Sequence, residues 1–509
     1  MRTLRLTHIY LFFALAISVS AINPQRFVLR STDRRLPAVL GYADSLSDKE
    51  FELPPALIEW MSHYDASVPL VPPVCDDSVK PLLTSQWAQG APFNDSVPKY
   101  AGSSHAATGC VATAMAQIMY YYRFPDTGIG EHGYRWYNSD STRTDSLYAH
   151  FGSTTYVWNN MHNTYKAAYI PPAKRATIAQ LLYHCGIAVD MRYDSGEDHQ
   201  SSAYTKHVPK ALETYFGYDP NYQALNKSIY SYDSLAALLR EELRRKHPVL
   251  INASNGKTGH AFICDGFNAD GYFHINWGWG GSADGYYLLP NLKPSENPED
   301  STRATYNKSM CFYVGIQPPA ADPYIFPYQM GADSITLSRD TWEITDTFTV
   351  TVHKMQNFGM HNYSGAYGVA LSPCTEDDLI DTVAVSLKAG YHKTVLMKRD
   401  SLILPQLPNG KYQLCAVYKD QDQWLPMPCR YADTYTTIYV CDGVVSTTYP
   451  EGCDIPTEIP STFDFRLSTS DIDEVFVRKT LLMSFGSFNL YLIETRRGST
   501  VIRTKILQP

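Results

Sequence analysis

His105-Ala106-Ala107-Thr108-Gly109-Cys110-Val111-Ala112-Thr113-Ala114-Met115-Ala116-Gln117-Ile118-Met119 is the stretch from which the rest of the chain can be read. Val111 to Tyr122 has unbroken helical character, and Gly109-Cys110 stands directly before it. The pattern predicts a helix that opens at a cysteine. A helix N-terminus carries roughly half a positive charge, and its first amides lack intrahelical partners. Both effects favour thiolate over thiol, and cysteines in such settings titrate below about 8.5. A cysteine at a helix start is, by itself, more often a buried structural residue than a nucleophile. It needs partners.

Two partners lie downstream. His260 follows Gly259 and opens a strand pattern that runs to Phe267. Asn276 lies on a second strand pattern, 272–277, and opens the run Asn276-Trp277-Gly278-Trp279-Gly280-Gly281. Asn268-Ala269-Asp270-Gly271 between them is a hairpin signal. Cysteine, then histidine, then an amide is the nucleophile, base and orienter order of a cysteine hydrolase, at spacings close to the papain type. The papain-type local signature around the cysteine is absent. Upstream, Gln89 lies in Gln86-Trp87-Ala88-Gln89-Gly90-Ala91-Pro92-Phe93-Asn94. Its amide is placed to join the Cys110 N–H as an oxyanion hole, where one donor is worth about 10²–10³ in rate.

The whole chain has 509 residues, enough for about three domains. Net charge is −8 with no basic block, so the footprint of a nucleic-acid binder is missing. Charged residues make up only 18%, which argues against disorder. None of the ten cysteines forms a C-x-x-C pair, and neither a metal nor another cofactor is expected. Residues 1–21 read as a signal peptide: basic start, apolar run from Ile9 to Val19, then Ser20-Ala21. No later run is long enough to suggest a membrane span in the mature chain.

Residues 22–73 form a small leading segment with strands near 27–29 and 36–42 and a Pro-initiated helix near 54–61. Residues 74–317 alternate helix and strand patterns, including helices over 175–186 and 234–246, the latter with Asp233 as the expected N-cap. Residues 318–323 have a linker composition. Five short strand patterns between 324 and 454 predict an all-β sandwich. The tail, 455–509, ends in two alternating strands around Arg497-Gly498. With Cys110 kept as a free thiol, Cys185 and Cys264 read as core thiols. Any disulfides are expected among Cys374, Cys415, Cys429, Cys441 and Cys453.

The stretch 105–119, with Phe124-Pro125 and Gly128, resembles the nucleophile region of the streptopain family of papain-like cysteine peptidases. Gly259-His260-Ala261-Phe262 and His274–Gly281 resemble its histidine and tryptophan regions, and the Gln89 loop its oxyanion glutamine. The resemblance, over residues 27–317, implies an α+β papain-like domain behind a short prosegment. It implies a secreted cysteine endopeptidase made as a zymogen, acting on proteins or peptides through a Cys110 thioester. Cys110 would be the nucleophile, His260 the base and acid, Gln89 an oxyanion donor, and Asn276 or Trp277 the group that orients and shields the imidazole. Gly259 and the loop Tyr193-Asp194-Ser195-Gly196 would border the cleft, where Asp194 and Glu197 depart from the family's Gly/Ser-rich loop.

The prosegment resembles a truncated inhibitory propeptide that latches weakly and is cut near 70–78. The sandwich resembles accessory immunoglobulin-like domains, and the tail a sorting domain of the type IX secretion route of Gram-negative bacteria. This places the protein outside a bacterial cell or on its surface. The weighed alternatives are a catalytically silent surface adhesin that keeps the fold and another Cys–His–Asn acyl transferase.

Overall fold

The computed structural model describes residues 17–23, 26–31, 35–43, 53–64, 70, 72, 75–99, 104–137, 144–166, 169–193, 200–254, 259–290, 309–321, 323–372, 374–390, 395–429, 433–453, 475–485, 488–497 and 500–508. The chain divides into two compact units, residues 1–329 and 330–509.

In the first unit the elements run β1 (Ile17–Asn23), β2 (Arg26–Ser31), β3 (Val39–Ala43), α1 (Pro55–Met61), α2 (Cys110–Tyr122), β4 (His132–Tyr137) and β5 (Thr144–Ala149). They continue with α3 (Pro172–Ala188), α4 (Val208–Phe216), β6 (Gln223–Asn226), α5 (Tyr232–Arg244), β7 (Val249–Ser254), β8 (Gly259–Phe267), β9 (Phe273–Asn276), β10 (Gly285–Tyr287) and β11 (Ser309–Val314). Nine strands make one sheet in the order β1-β2-β3-β10-β9-β8-β7-β11-β6, while β4 and β5 form a separate hairpin. The strand β8 is its pivot. Alternate side chains of a strand face opposite ways, and β8 is covered on both: α2 packs against it, as do α1 and α5. Its residues from Ala261 to Phe267 are all buried.

Local chemistry sets the helix ends. Gly109 caps α2 at φ +85°, a left-handed conformation that favours glycine, and a Cβ there would lie 2.8 Å from the Met191 side chain. At α5 the cap is Ser231, whose Oγ accepts from Ser234 N at 3.1 Å. The expected Asp233 instead sits in the first turn, where its charge complements the helix dipole.

The leading segment is built into this unit rather than hung on it. β3 pairs antiparallel with β10, Gly41 opposite Tyr287 and Ala43 opposite Gly285. Leu29, Leu40, Leu57, Trp60 and Tyr64 are fully buried in the core that also holds Phe262, Ile275, Trp277 and Tyr287. The Trp60 ring meets Phe262 and Trp277 edge-on at 5.8 and 5.9 Å. Tyr64 Oη donates to Leu288 O at 2.6 Å and accepts from Trp60 Nε1 at 3.2 Å. The weak latch expected from a short segment is therefore not what the packing provides: some fifty residues make no core alone but complete a shared one. Residues 1–16, most of the segment read as a signal peptide, lie outside the described residues, and 17–23 pair with β2.

The second unit contains β12 (Met330–Gly331), β13 (Ser334–Leu337), β14 (Thr341–Glu343), β15 (Phe348–Asn357), β16 (Tyr363–Leu371), β17 (Leu379–Leu387), β18 (Val395–Leu402), β19 (Gly410–Asp420), β20 (Gln423–Pro426), β21 (Thr436–Cys441) and β22 (Val444–Ser446). One four-stranded sheet groups β12, β13, β15 and β18. A seven-stranded sheet groups β14, β22, β21, β19, β16, β17 and β20. β23 (Val475–Phe485), β24 (Phe488–Arg497) and β25 (Thr500–Gln508) form a three-stranded antiparallel sheet. Cys441 and Cys453 are joined in a disulfide.

Because Trp60 anchors α1 against the sheet, Trp60→Ala is expected to cost about 3–5 kcal/mol. Urea unfolding of the full chain, followed on the transition of the first unit, measures it. A loss below 1 kcal/mol would mean the segment contributes little to that core.

Candidate active site

The nucleophile candidate is set by the backbone on both sides of it. Thr108 N donates to Gln89 O at 3.0 Å, and Ser201 Oγ donates to Ala107 O at 2.6 Å. Thr113 Oγ1, one turn into α2, donates to Gly109 O at 3.1 Å. The segment entering α2 is thus held by the Gln89 loop, by Ser201 and by the helix itself. Cys110 Sγ then accepts the backbone N–H of Ala261 at 3.4 Å. Ala261 is the neighbour of His260 on β8, so the sulfur lies against the strand that carries the imidazole.

The electrostatics differ from those expected of a helix N-terminus. Burial pushes the Cys110 thiol up, against the N–H groups of Ala261, Val111 and Cys110 itself, which pull it down. Burial also lowers the His260 imidazole, with the Glu59 carboxylate acting in the opposite sense. Both shifts favour a neutral thiol beside a neutral imidazole, because desolvation penalises either charged form.

Asn276 serves a different purpose from the one its order in the chain suggested. Its Oδ1 accepts from Gln117 Nε2 at 3.1 Å and from Gly278 N at 3.0 Å, and its Nδ2 donates to Ser85 O at 2.9 Å. Among the described residues its amide makes no hydrogen bond to His260. Gln117 Oε1 accepts in turn from Ser85 Oγ at 2.9 Å. One buried network therefore ties α2, the strand carrying Asn276 and the segment leading to Gln89. Gln117 and Ser85 were not singled out from the sequence. The available signal was a polar stripe, Cys110, Thr113 and Gln117 at i, i+3 and i+7, on one face of an otherwise apolar helix.

Trp277 is a core anchor. Its ring, 2% exposed, packs on Phe262 at 4.9 Å and Tyr287 at 5.1 Å, and its Nε1 donates to Ala283 O at 2.9 Å. No ring contact with His260 occurs among the described residues. Its backbone N donates to Asp284 Oδ1 at 2.9 Å. Asp284 in turn lies near a buried pair in which His274 Nδ1 and Asp265 Oδ1 are 2.6 Å apart. Burial lowers the His274 pKa, but Asp265 outweighs it and the net shift is upward. Asp265 Oδ2 accepts Leu83 N at 2.9 Å, bracing the strand-side end of the oxyanion segment.

Of the residues expected at the cleft, Gly259 is exposed at the start of β8. Tyr193 is not at a surface: it is 0% exposed, and its hydroxyl reaches Gly186 of α3 so closely that a Cβ there would overlap it. An aromatic run-in to the loop was drawn to the core by its apolar area. Asp194, Ser195, Gly196 and Glu197 lie outside the described residues. Gln89 is half-buried, with its carbonyl on Thr108 as above. No cluster able to hold a metal ion is found among the described residues.

A cysteine at a helix start, pressed against a histidine-bearing strand and flanked by an amide-bearing loop, is the arrangement of a papain-like cysteine hydrolase. The model of the peptidase C10 family matches residues 87–287. The chain is 33% identical over 321 residues to streptopain of Streptococcus pyogenes, covering 58% of this chain and 79% of streptopain. It is 28% identical over 424 residues to the thiol protease/hemagglutinin PrtT of Porphyromonas gingivalis, covering 77% of this chain but only 47% of that relative. Among solved structures, a mutated fragment of prointerpain A from Prevotella intermedia matches with a TM-score of 0.53 at 29% identity, over 61% of this chain and 98% of that one. The chain belongs to the peptidase C10 family of cysteine peptidases.

Two consequences can be measured. Gln117→Ala leaves buried partners unsatisfied and is expected to cost about 1–3 kcal/mol, read by urea unfolding; an unchanged midpoint would remove the network from the account of the site. Asp284 has its carboxyl pushed up to about 7 by burial, with Asp265 adding to the rise, while the Trp277 N–H, His274 and Lys166 oppose it. A folded-state pKa above the ordinary 3.8 means that the contribution to stability is full at low pH and is lost as pH rises toward 7. Asp284→Asn keeps an acceptor for Trp277 and should flatten that part of the stability–pH curve.

Proposed function

We propose that the chain is a secreted cysteine endopeptidase, made as a zymogen, that hydrolyses peptide bonds in protein substrates through a thioester on Cys110. The observation that carries this reading is the hydrogen bond from Ala261 N to Cys110 Sγ, which sets the sulfur at the start of α2 against the strand of His260. His260 takes the Cys110 proton as sulfur attacks the scissile carbonyl carbon, and the carbonyl oxygen becomes an oxyanion. The Cys110 N–H and the Gln89 amide are the donors for it. His260 then gives its proton to the leaving amine as the C–N bond breaks. A water, deprotonated by His260, attacks the thioester; the carboxylic acid leaves and the thiol is restored. Asn276 and Trp277 act by positioning: Asn276 fixes the sheet to α2, and Trp277 fixes the loop after it.

Residues 22–73 act as the inhibitory prosegment on this reading, with the activating cut near 70–78. In support, α1 packs on β8, the strand that carries His260, and β3 pairs with β10 in the same sheet. Residues 324–454 serve as an accessory immunoglobulin-like domain, a reading supported by two antiparallel sheets in the second unit. Residues 455–509 serve as a sorting domain for type IX secretion, supported by the terminal three-stranded sheet. No helix among the described residues is long and apolar enough to cross a membrane.

An active-site thiol probe applied to the processed protein tests the chemistry. Cys110 should label, Cys110→Ala should abolish both labelling and peptide hydrolysis, and Gln89→Ala should lower kcat by about 10²–10³. If Cys110 stays unlabelled and His260→Ala hydrolyses peptides as fast as wild type, the peptidase reading fails and an adhesin that keeps the fold takes its place. In the uncut chain, labelling should rise with pH into and beyond the ordinary thiol range, because burial holds the thiol protonated.

A further inference from the structure

The second unit holds three further cysteines close to one another in the chain's fold. Cys415 lies on β19 and Cys374 in the turn that follows β16, two neighbouring strands whose register sets Ala370 opposite Cys415 and Leu371 opposite Leu414. Both thiols are buried, and their sulfurs stand 3.0 Å apart. Around them Ala370 and Val417 form a small apolar cluster, with Leu379, Trp424 and Tyr435 packed against it. Cys374 adopts φ +69°, a left-handed backbone uncommon for a residue with a side chain, and its N–H donates to Leu371 O at 2.8 Å. The turn thus accepts a strained conformation that brings one sulfur onto the other.

We infer that Cys374 and Cys415 are an oxidative modification site and form a second disulfide in the mature protein. It clamps the turn after β16 to β19 and closes a loop spanning 41 residues, beside the 12-residue loop already closed by Cys441–Cys453. The oxidant is a small-molecule or protein disulfide. One cysteine, as thiolate, attacks that disulfide and forms a mixed disulfide, releasing one thiol. The second thiolate attacks the mixed disulfide and releases the other thiol. Two protein S–H bonds are lost, one S–S bond forms, and the oxidant is reduced to two thiols. The exchange belongs to folding, before the cluster closes. In the folded unit the hydrogen bond to Cys374 and burial push the Cys415 thiol well up, and exchange requires thiolate. Cys429 is the competing partner: it is half-buried and near enough to influence Cys415 electrostatically.

The test is a non-reducing peptide map of the full chain with Cys110→Ala to prevent self-cleavage, refolded in a buffer of reduced and oxidised glutathione, denatured and alkylated. The expected result is two linked peptide pairs, Cys374–Cys415 and Cys441–Cys453, with Cys75, Cys185, Cys264, Cys311 and Cys429 alkylated. Adding Cys429→Ser should leave the first link intact. Cys374→Ser and Cys415→Ser should each abolish it and lower the melting temperature of the second unit below that of the doubly linked chain, while the Cys441–Cys453 link stays in place. Alkylation of both Cys374 and Cys415 in the non-reduced protein, or a link from either to Cys429, overturns the assignment. The map itself leaves Cys374, Cys415 and Cys429 unsubstituted, so it does not depend on a variant of the second unit folding.

Discussion

The side-chain amide of Asn276 is where the separate parts of the site become one object. Its oxygen receives the helix that begins at Cys110, through Gln117, and the turn at Gly278; its nitrogen holds Ser85, four residues before Gln89. The amide oxygen and nitrogen of Asn276 and of Gln117 each have a hydrogen-bond partner in this buried cluster. Loss of any one leaves a polar group dry, and that penalty exceeds the net gain of an ordinary hydrogen bond. The network therefore acts less as a source of stability than as a rule of register. If α2 slid along the sheet, the amides would miss each other, and the sulfur would leave Ala261.

A second layer of constraint is apolar. Trp60, Phe262, Trp277 and Tyr287 form one aromatic cluster shared by α1, β8, the loop after β9 and β10. The leading segment contributes the tryptophan that the rest of the cluster surrounds, and a strand that extends the same sheet. The segment that precedes the papain-like part is consequently a structural partner of the site's underside, with contacts at the loop held by Asp284 rather than at Cys110 itself.

Much of this was legible in the sequence, and the reasons are uneven. The start of α2 at Gly109-Cys110, the β8–β9 hairpin around Asn268–Gly271 and the helix at 55–61 follow from local rules: a glycine that tolerates positive φ, a turn signal, a proline at a helix start. These rules act over a few residues, so a sequence displays them directly. What Asn276, Trp277 and Tyr193 touch is set by residues far away in the chain. Asn276 was expected to face the imidazole because order along the chain suggested it; Gln117, 159 residues away, claims it instead. The N-cap of α5 was missed for a smaller reason, since Ser231 and Asp233 both have the right chemistry and only the backbone direction chooses between them.

Burial also reverses the simplest electrostatic expectation. A helix N-terminus stabilises a thiolate, yet Cys110 and His260 are both pushed toward neutrality by desolvation. Glu59, 3% exposed on α1, works the other way by favouring the imidazolium. The same helix packs on β8 and carries the carboxylate that would support a charged imidazole. Desolvation is the larger of the two at His260. On the proposed reading of residues 22–73 as a prosegment, releasing α1 takes away the Glu59 carboxylate, and the imidazolium of His260 loses that support.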